Sequence, residues 1–361
     1  MRKCWIVFVL LMLAVPVFAM TDTLPQGVWS FGLSHKYYDV SKIGGETIDY
    51  ATKAGDEDFA FKPLNEYTAR YINKYGPLIA EGYVNEDLRL LDSARLTYSY
   101  LDIAYGITND LTFSFTLPYE DKTVKYSQEY IDTFTALNAN PGLASAITVP
   151  PRVAKGSGLG DASMALKYRF MKNAAMAFKY QAGALKFGKD GTEIRDAIDG
   201  FEEIYTGKKE DRFTLAMFYD VVDVLPFKVG LMAAYEYSTT GYEKFMENDF
   251  SCDNGDVMTV MADTKFDLSK QISLKPKLIY LQAGVDKRYA DTAKTWAPIE
   301  GTAVTALLAD FAVHYHPVIF ADLWASLTVP LHNKVAGGVY DFPGRLDTPA
   351  VVRFGVTVYY K

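Results

Sequence analysis

A side-chain period of two, held over segment after segment, limits what this chain can fold into more than any other feature. The longest row is Ile319, Ala321, Leu323, Ala325, Leu327, Val329 and Leu331, with Asp322, Ser326 and Thr328 between them. Successive side chains of a strand point to opposite faces, so the segment has one oily face and one polar face. The last segment repeats this: Val352, Phe354, Val356, Val358 and Tyr360 alternate with Arg353, Gly355, Thr357 and Tyr359. Twelve such segments can be marked, at 28–38, 94–106, 111–119, 162–171, 174–187, 211–222, 227–239, 256–268, 272–285, 301–316, 319–331 and 349–361. Short turns, at 106–110, 172–173, 223–226, 269–271 and Pro317, alternate with long connections such as 39–92 and 120–160.

A soluble sandwich or lipocalin-like barrel would explain alternation with the oily face turned inward. It does not explain charges on the opposite face of nearly every segment together with strict loop-length asymmetry. A membrane barrel explains both. The fold expected is all-β: a transmembrane antiparallel up-and-down β-barrel of about 12 strands. It becomes 14 if the connections 39–92 and 120–160 hide further strands. An even count puts both ends on the periplasmic side, with short periplasmic turns and long extracellular loops. Segments of ~9–13 residues suit a tilted crossing of the hydrocarbon layer. The 26 Tyr and 22 Phe support this, with Tyr gathered toward segment ends where interfacial aromatics belong. Hydrophobic residues make up 49% of the chain, yet mean hydropathy is only −0.03, because they alternate rather than run together.

Residues 1–19 read as a cleaved signal peptide. Arg2 and Lys3 precede an apolar run from Trp5 to Val15, and Val17-Phe18-Ala19 places small residues where a signal peptidase tests them. The run is shorter than the ~20 residues of a spanning helix, and no later stretch is a candidate for one. Residues 20–361 are then a single outer-membrane barrel domain. Loss of two cations and no acids moves the net charge from −7 to −9, which argues against nucleic acid as a partner. Cys252 is the one cysteine left after cleavage, so no internal disulfide exists.

The closing segment, residues 351–361, resembles the terminal strand by which the barrel insertion machinery recognises outer-membrane proteins, although Lys361 follows the final aromatic. Two further stretches carry a family resemblance. One is Tyr105-Gly106-Ile107-Thr108-Asn109-Asp110-Leu111 running into Leu117-Pro118-Tyr119. The other is Gly156-Ser157-Gly158-Leu159-Gly160-Asp161 followed by Leu166-Lys167-Tyr168-Arg169-Phe170. Over residues 94–187 this order resembles the outer-membrane β-barrel family of transporters of the meta-pathway of phenol degradation. The resemblance implies passive uptake of small molecules, aromatic or hydrophobic ones among them. Nothing in the sequence signals an N-terminal plug. The glycines of 156–161 read as a turn where a long loop re-enters the barrel. A phosphate cradle would need a helix after them, and a strand pattern follows.

If the apolar rows face lipid, the lumen is lined by Lys167, Arg169, Asp220, Lys228, Glu236, Asp263, Lys265, Lys275, Lys277, Asp310, Asp322 and Arg353. Two readings of that ladder stand: a polar conduit, or a salt-bridged filling that closes the lumen. The connection 137–151 is unusually apolar and packs on the barrel rim or folds inward. His314 and His316 share a face beside Pro317 but lack a third metal ligand, so they read as interfacial histidines. Asp249, Asp253, Asn254 and Asp256 miss calcium-loop spacing and read as a polar turn. No Gly-x-Ser-x-Gly elbow occurs, and the rows show no lipid-facing Ser–His pair. The sequence thus calls for no catalytic residue, metal or cofactor. Its expected partners are outer-membrane lipid, the insertion machinery and a small-molecule solute. The function expected is a passive outer-membrane channel. A structural or surface barrel with a closed lumen is the alternative, and a lipid-active enzyme comes third.

Overall fold

The computed structural model describes residues 20–40, 42–43, 46–47, 91–126, 128–139, 152–183, 211–224, 227–245, 248–253, 255–290, 295–299, 303–336 and 351–361. Twelve strands form the wall. They are β1 (Trp29–Val40), β2 (Leu91–Thr108), β3 (Leu111–Tyr126), β4 (Ser163–Met171), β5 (Ala174–Gln181) and β6 (Arg212–Val224). The chain continues with β7 (Phe227–Ser238), β8 (Val257–Asp267), β9 (Ile272–Ala283), β10 (Ala303–Val318), β11 (Ala321–Ala336) and β12 (Val351–Tyr360). Each is hydrogen-bonded antiparallel to its neighbours in sequence, and β12 closes on β1 from Trp29↔Tyr360 to Tyr37↔Val352. The result is a closed barrel with no free edge among these twelve.

Side-chain exposure fixes which face is which. Outward residues such as Leu33, Val313 and Phe354 are 61%, 49% and 52% exposed, whereas the inward Ser30, Asp310 and Thr328 are 4% or less. The oily rows therefore lie on the outside, the inverse of a soluble barrel. Aromatics gather at the short-turn end of that surface: the rings of Trp29 and Tyr105 meet at 4.6 Å, tilted by 37°, and Tyr168, Tyr219, Phe227, Phe266 and Tyr360 share their level. Such a girdle belongs at a lipid–water interface. In the middle of the band, Leu274, Val313, Ala325 and Phe354 form one row across four strands. Val313→Arg is expected to destabilise the barrel by about 2–4 kcal/mol in phospholipid vesicles, measured by urea titration. Unchanged stability would contradict a lipid-facing row.

The turns are tighter than the sequence suggests. β10 continues through Pro317 and turns at Ile319–Phe320, with a register shift between Tyr315 and Val318. A thirteenth strand, Val153–Leu159, pairs with the far half of β3 from Tyr119↔Leu159 to Lys125↔Val153. β4 pairs with the near half, from Leu111↔Tyr168 to Thr116↔Ser163. They are one stave broken at residues 160–162. The glycine-rich stretch is thus strand through Leu159, and only Gly160-Asp161-Ala162 makes the break. A Cβ on Gly160 would stand 2.9 Å from the carboxyl carbon of Glu120, so a larger residue there would displace that side chain.

Beyond the membrane band the structure holds more order than polar loops. β2 has 18 residues, and β3, β10 and β11 have 16 each, more than a crossing requires. The β7–β8 and β9–β10 connections build a separate four-stranded sheet from Thr240–Phe245, Asn248–Asp253, Asp286–Ala290 and Thr295–Ile299. α1 (Gln128–Asn138) follows β3. The 137–151 connection lies outside the described residues apart from residues 137–139.

Candidate functional site

The interior has two levels. Toward the extracellular end, β7 to β10 turn Ala234, Val257, Met261, Ile279, Leu281 and Leu308 inward, all buried. The same strands carry charges nearer the short-turn end: Lys228, Asp263 and Lys265, Lys275 and Lys277, and Asp310. The period of two is unbroken through both levels; only the chemistry of the inward row changes. On β8 to β10 the inward row is therefore apolar toward the long-loop end and ionic toward the short turns, while β7 carries Glu236 beyond Ala234.

The twelve lumen candidates separate into groups. Glu236 is 1% exposed, takes the Arg212 guanidinium at 2.6 Å and accepts from the Thr214 hydroxyl at 3.1 Å. Lys265 pairs with Asp267 at 3.1 Å. Lys228 stands opposite Lys265 across the β7–β8 pair. Asp263 stands opposite Lys277, with the charge of Lys275 nearby. Arg169 grips Asp110 through two nitrogens at 2.7 and 2.9 Å, which places it at the turn rather than along the axis. Lys167 lies 4.8 Å from the centre of the Phe218 ring and faces Asp22 and Asp220.

His314 and His316 both approach Asp322. His314 is fully buried on the inward face, and its Nδ1 lies 2.8 Å from Asp322, with His316 Nδ1 3.5 Å from the same carboxylate. The β10–β11 register, His314↔Trp324, sets them beside Asp322, and a turn placed at Pro317 hid this. Among the described residues no group of three or more His, Cys, Asp or Glu side chains is placed to hold a metal ion. Asp253 pairs with Lys287 at 3.6 Å, and Asp256 takes the Tyr235 hydroxyl, so the acidic stretch 249–256 is spread over separate contacts.

Lys277, Asp310 and Arg353 converge on a cavity of about 80 Å³ between β1, β2, β9 and β10–β12. Lys36, Tyr100, Asp102, His314 and Trp324 also line it, and none of these was among the lumen candidates. Asp102 accepts from Thr116 at 2.6 Å and Asp310 from Thr328 at 2.6 Å. The Trp324 indole lies against β12: a Cβ on Gly355 would stand 2.8 Å from the ring. Lys36 was missed although the signal was there, because the row Ser30, Gly32, Ser34 continues to it. Tyr98 and Tyr100 share an inward face with Asp102, which settles a strand whose faces the sequence leaves mixed.

Residues 20–27 enter the barrel at the short-turn end. Met20, Thr21 and Leu24 are 5%, 1% and 1% exposed. The Thr21 hydroxyl bonds Asp220, Leu24 N–H donates to the Thr112 hydroxyl at 2.8 Å, and Gln26 N–H donates to the Asn109 side chain at 3.0 Å. Gly27, at φ 80°, turns the chain into β1 and donates to the Gly106 carbonyl at 2.9 Å. Two glycines make room: Gly230 beneath Met20, where a Cβ would meet its side chain at 2.8 Å, and Gly106 beneath Leu24 and Pro25. These eight residues thus sit inside the short-turn mouth, and the sequence gives no signature for it, since eight mixed residues carry no period.

One feature of the outer surface also departs from expectation. His35 Nδ1 lies 2.9 Å from the Ser99 hydroxyl, a half-buried Ser–His pair on the lipid side. Its members are 64 residues apart and meet only through the β1–β2 register, His35↔Ser99. Among the described residues no carboxylate orients His35. The backbone around the pair belongs to sheet ladders, which leaves no cluster of donors for an oxyanion. The pair has the chemistry of a satisfied polar contact.

No protein-family model matches the chain, and no curated protein matches it significantly. Among solved structures, an outer-membrane channel of Pseudomonas putida F1 aligns over 94% of this chain and 98% of its own, with a TM-score of 0.56 at 12% identity. The toluene transporters TodX of P. putida and TbuX of Ralstonia pickettii align over 94% of this chain, and over 91% and 90% of theirs. Both are 11% identical, with TM-scores of 0.42 and 0.44. The first of these likenesses agrees with the barrel derived above and speaks to fold alone.

Proposed function

We propose that this chain is a passive outer-membrane channel for small molecules, narrow along its whole length and constricted at its periplasmic mouth by residues 20–27. The observation that carries this is the cavity inside the wall, with Lys277, Asp310 and Arg353 on its border. A purely structural barrel of this size would fill its interior with interlocking side chains, whereas here buried charges border open space. The apolar and the ionic stretches of the inward face suit solutes that have an apolar body and a polar group. That agrees with the small, often aromatic molecules implied by the phenol-degradation resemblance. The signal at 1–19, export to the outer membrane and insertion through residues 351–361 belong to the same proposal.

Purified protein reconstituted in planar bilayers should give discrete ion steps, and liposomes bearing it should swell in small neutral solutes such as glycerol. A folded protein silent in both assays would favour the closed structural barrel. That second reading draws on the completed pairs Arg212–Glu236 and His314–Asp322, which have the character of filling.

A further inference from the structure

We infer that the cavity beside Trp324 is a binding site for one small neutral polyol, the size of a single sugar ring; this rests on the channel reading above and names a solute class for it. The site is built on one inward row that crosses five strands. Tyr100 stands opposite Ser34, Ser34 opposite Gly355, Gly355 opposite Trp324, and Trp324 opposite His314. The glycine in the middle of the row makes a platform: the Trp324 indole lies where a side chain on Gly355 would stand, and it borders the cavity. An indole face packs well against the C–H face of a ring. At the two ends of the row stand buried polar groups with no hydrogen-bond partner among the described residues. They are the Tyr100 hydroxyl and His314 Nε2, in side chains that line the cavity and are 5% and 0% exposed. Unmet buried polar groups are costly, so solute or water is their complement. Tyr100 has a proton to give. Neutral His314 holds its proton on Nδ1, toward Asp322, which leaves Nε2 to accept one. The occupant must therefore both accept and donate, as a set of hydroxyls does.

The rest of the lining selects the class. Ser30, Ser34, Ser114, Ser326 and Thr357 add hydroxyls from β1, β3, β11 and β12. A solute with one polar group would turn bare carbon toward most of them, whereas a polyol turns hydroxyls. Charges of both signs border the same space: Lys36, Lys277 and Arg353 with Asp102 and Asp310. Glu120, 5% exposed, acts on Tyr100 together with Arg353 and Asp102, and Asp322 touches His314. Lys277 itself stands opposite both Asp263 and Asp310. An ion of either sign entering here meets a like charge as well as an opposite one. A hydroxyl gives its proton to a carboxylate and accepts one from an ammonium or guanidinium, so a neutral polyol suits both signs at once. About 80 Å³ holds roughly 5–8 waters, which admits one ring and excludes a chain of them.

The test is calorimetric titration of the folded protein in a detergent without a sugar headgroup, such as an alkyl polyoxyethylene ether. The probes are glucose, glucuronate, protonated glucosamine and cyclohexanol. Glucose should bind saturably. Glucuronate and glucosamine, which each bring one charge, and cyclohexanol, which keeps the ring and one hydroxyl, should each bind at least about tenfold more weakly. Y100F, which removes only the unmet hydroxyl, and W324L, which removes the platform, should each weaken glucose several-fold. The surface control K270M should retain it, with heat-modifiable gel migration confirming a folded barrel throughout. No binding of glucose would mean that water alone fills the cavity and would overturn the site. Equal binding of either charged sugar or of cyclohexanol, or full affinity in Y100F or W324L, would overturn it as well. Binding needs no open pore. A silent bilayer with glucose bound therefore rejects the channel and keeps the site, and a conducting protein that ignores glucose does the reverse.

Discussion

Protein lacking residues 20–27, refolded in detergent and placed in a planar bilayer, conducts several-fold more ions than the protein that carries them. The expectation follows from what those residues fill. Met20, Thr21 and Leu24 are almost wholly buried inside the mouth, and their contacts reach β3, β6 and the β2–β3 turn. None of their hydrogen bonds belongs to the barrel ladders, so the wall loses no strand pairing when they go. The contacts are few, and a segment held by few bonds opens at modest cost. A finer arm keeps the segment and locks it. With Cys252 replaced by Ser, Thr21→Cys and Asp220→Cys place two thiols where a hydroxyl and a carboxylate now touch. Oxidation should hold conductance low, and reductant should raise it. Equal conductance of the truncated and intact proteins would remove the segment from the passage.

The barrel was open to sequence reading because its signal is repetitive. An outward row such as Ile319 to Leu331 needs no partner to be recognised, and the twelve marked segments correspond in order to β1–β12. What the chain hides is whatever depends on register. Nothing in residues 28–38 announces that Lys36 will meet Arg353, because the partners come from opposite ends of the chain. His35 and Ser99 are joined in the same way across the connection 39–92. The four-stranded outer sheet escaped because its strands of five or six residues are too short to show a period. Tyr98 and Tyr100 leave the faces of their strand mixed in the sequence for another reason: aromatics suit either face of a barrel wall, so hydrophobicity alone does not orient them. The cavity is thus a product of closure, and of its charged lining the sequence reading named Lys277, Asp310 and Arg353, although alternation also pointed to Lys36.

The largest stability effect is expected at Arg212 and Glu236. The pair spans β6 and β7 on the inward face at 2.6 Å, with side chains 0% and 1% exposed, and Thr214 supplies a further donor to the carboxylate at 3.1 Å. Their neighbours within the wall include Lys179, which also faces Glu236 and Arg212. Replacing Arg212 by Ala leaves Glu236 buried with less compensation, and removal of one partner of a buried pair costs about 3–5 kcal/mol. The double change Arg212→Met with Glu236→Leu removes both ions and keeps volume, so it should lie within about 1 kcal/mol of the parent or exceed it. Urea unfolding in vesicles, followed by tryptophan emission, reads both. If the single and double variants lose the same stability, the pair is hydrated rather than dry at this level of the lumen. The interior would then be wetter than its buried charges imply, and the cavity would be only one part of a continuous aqueous path.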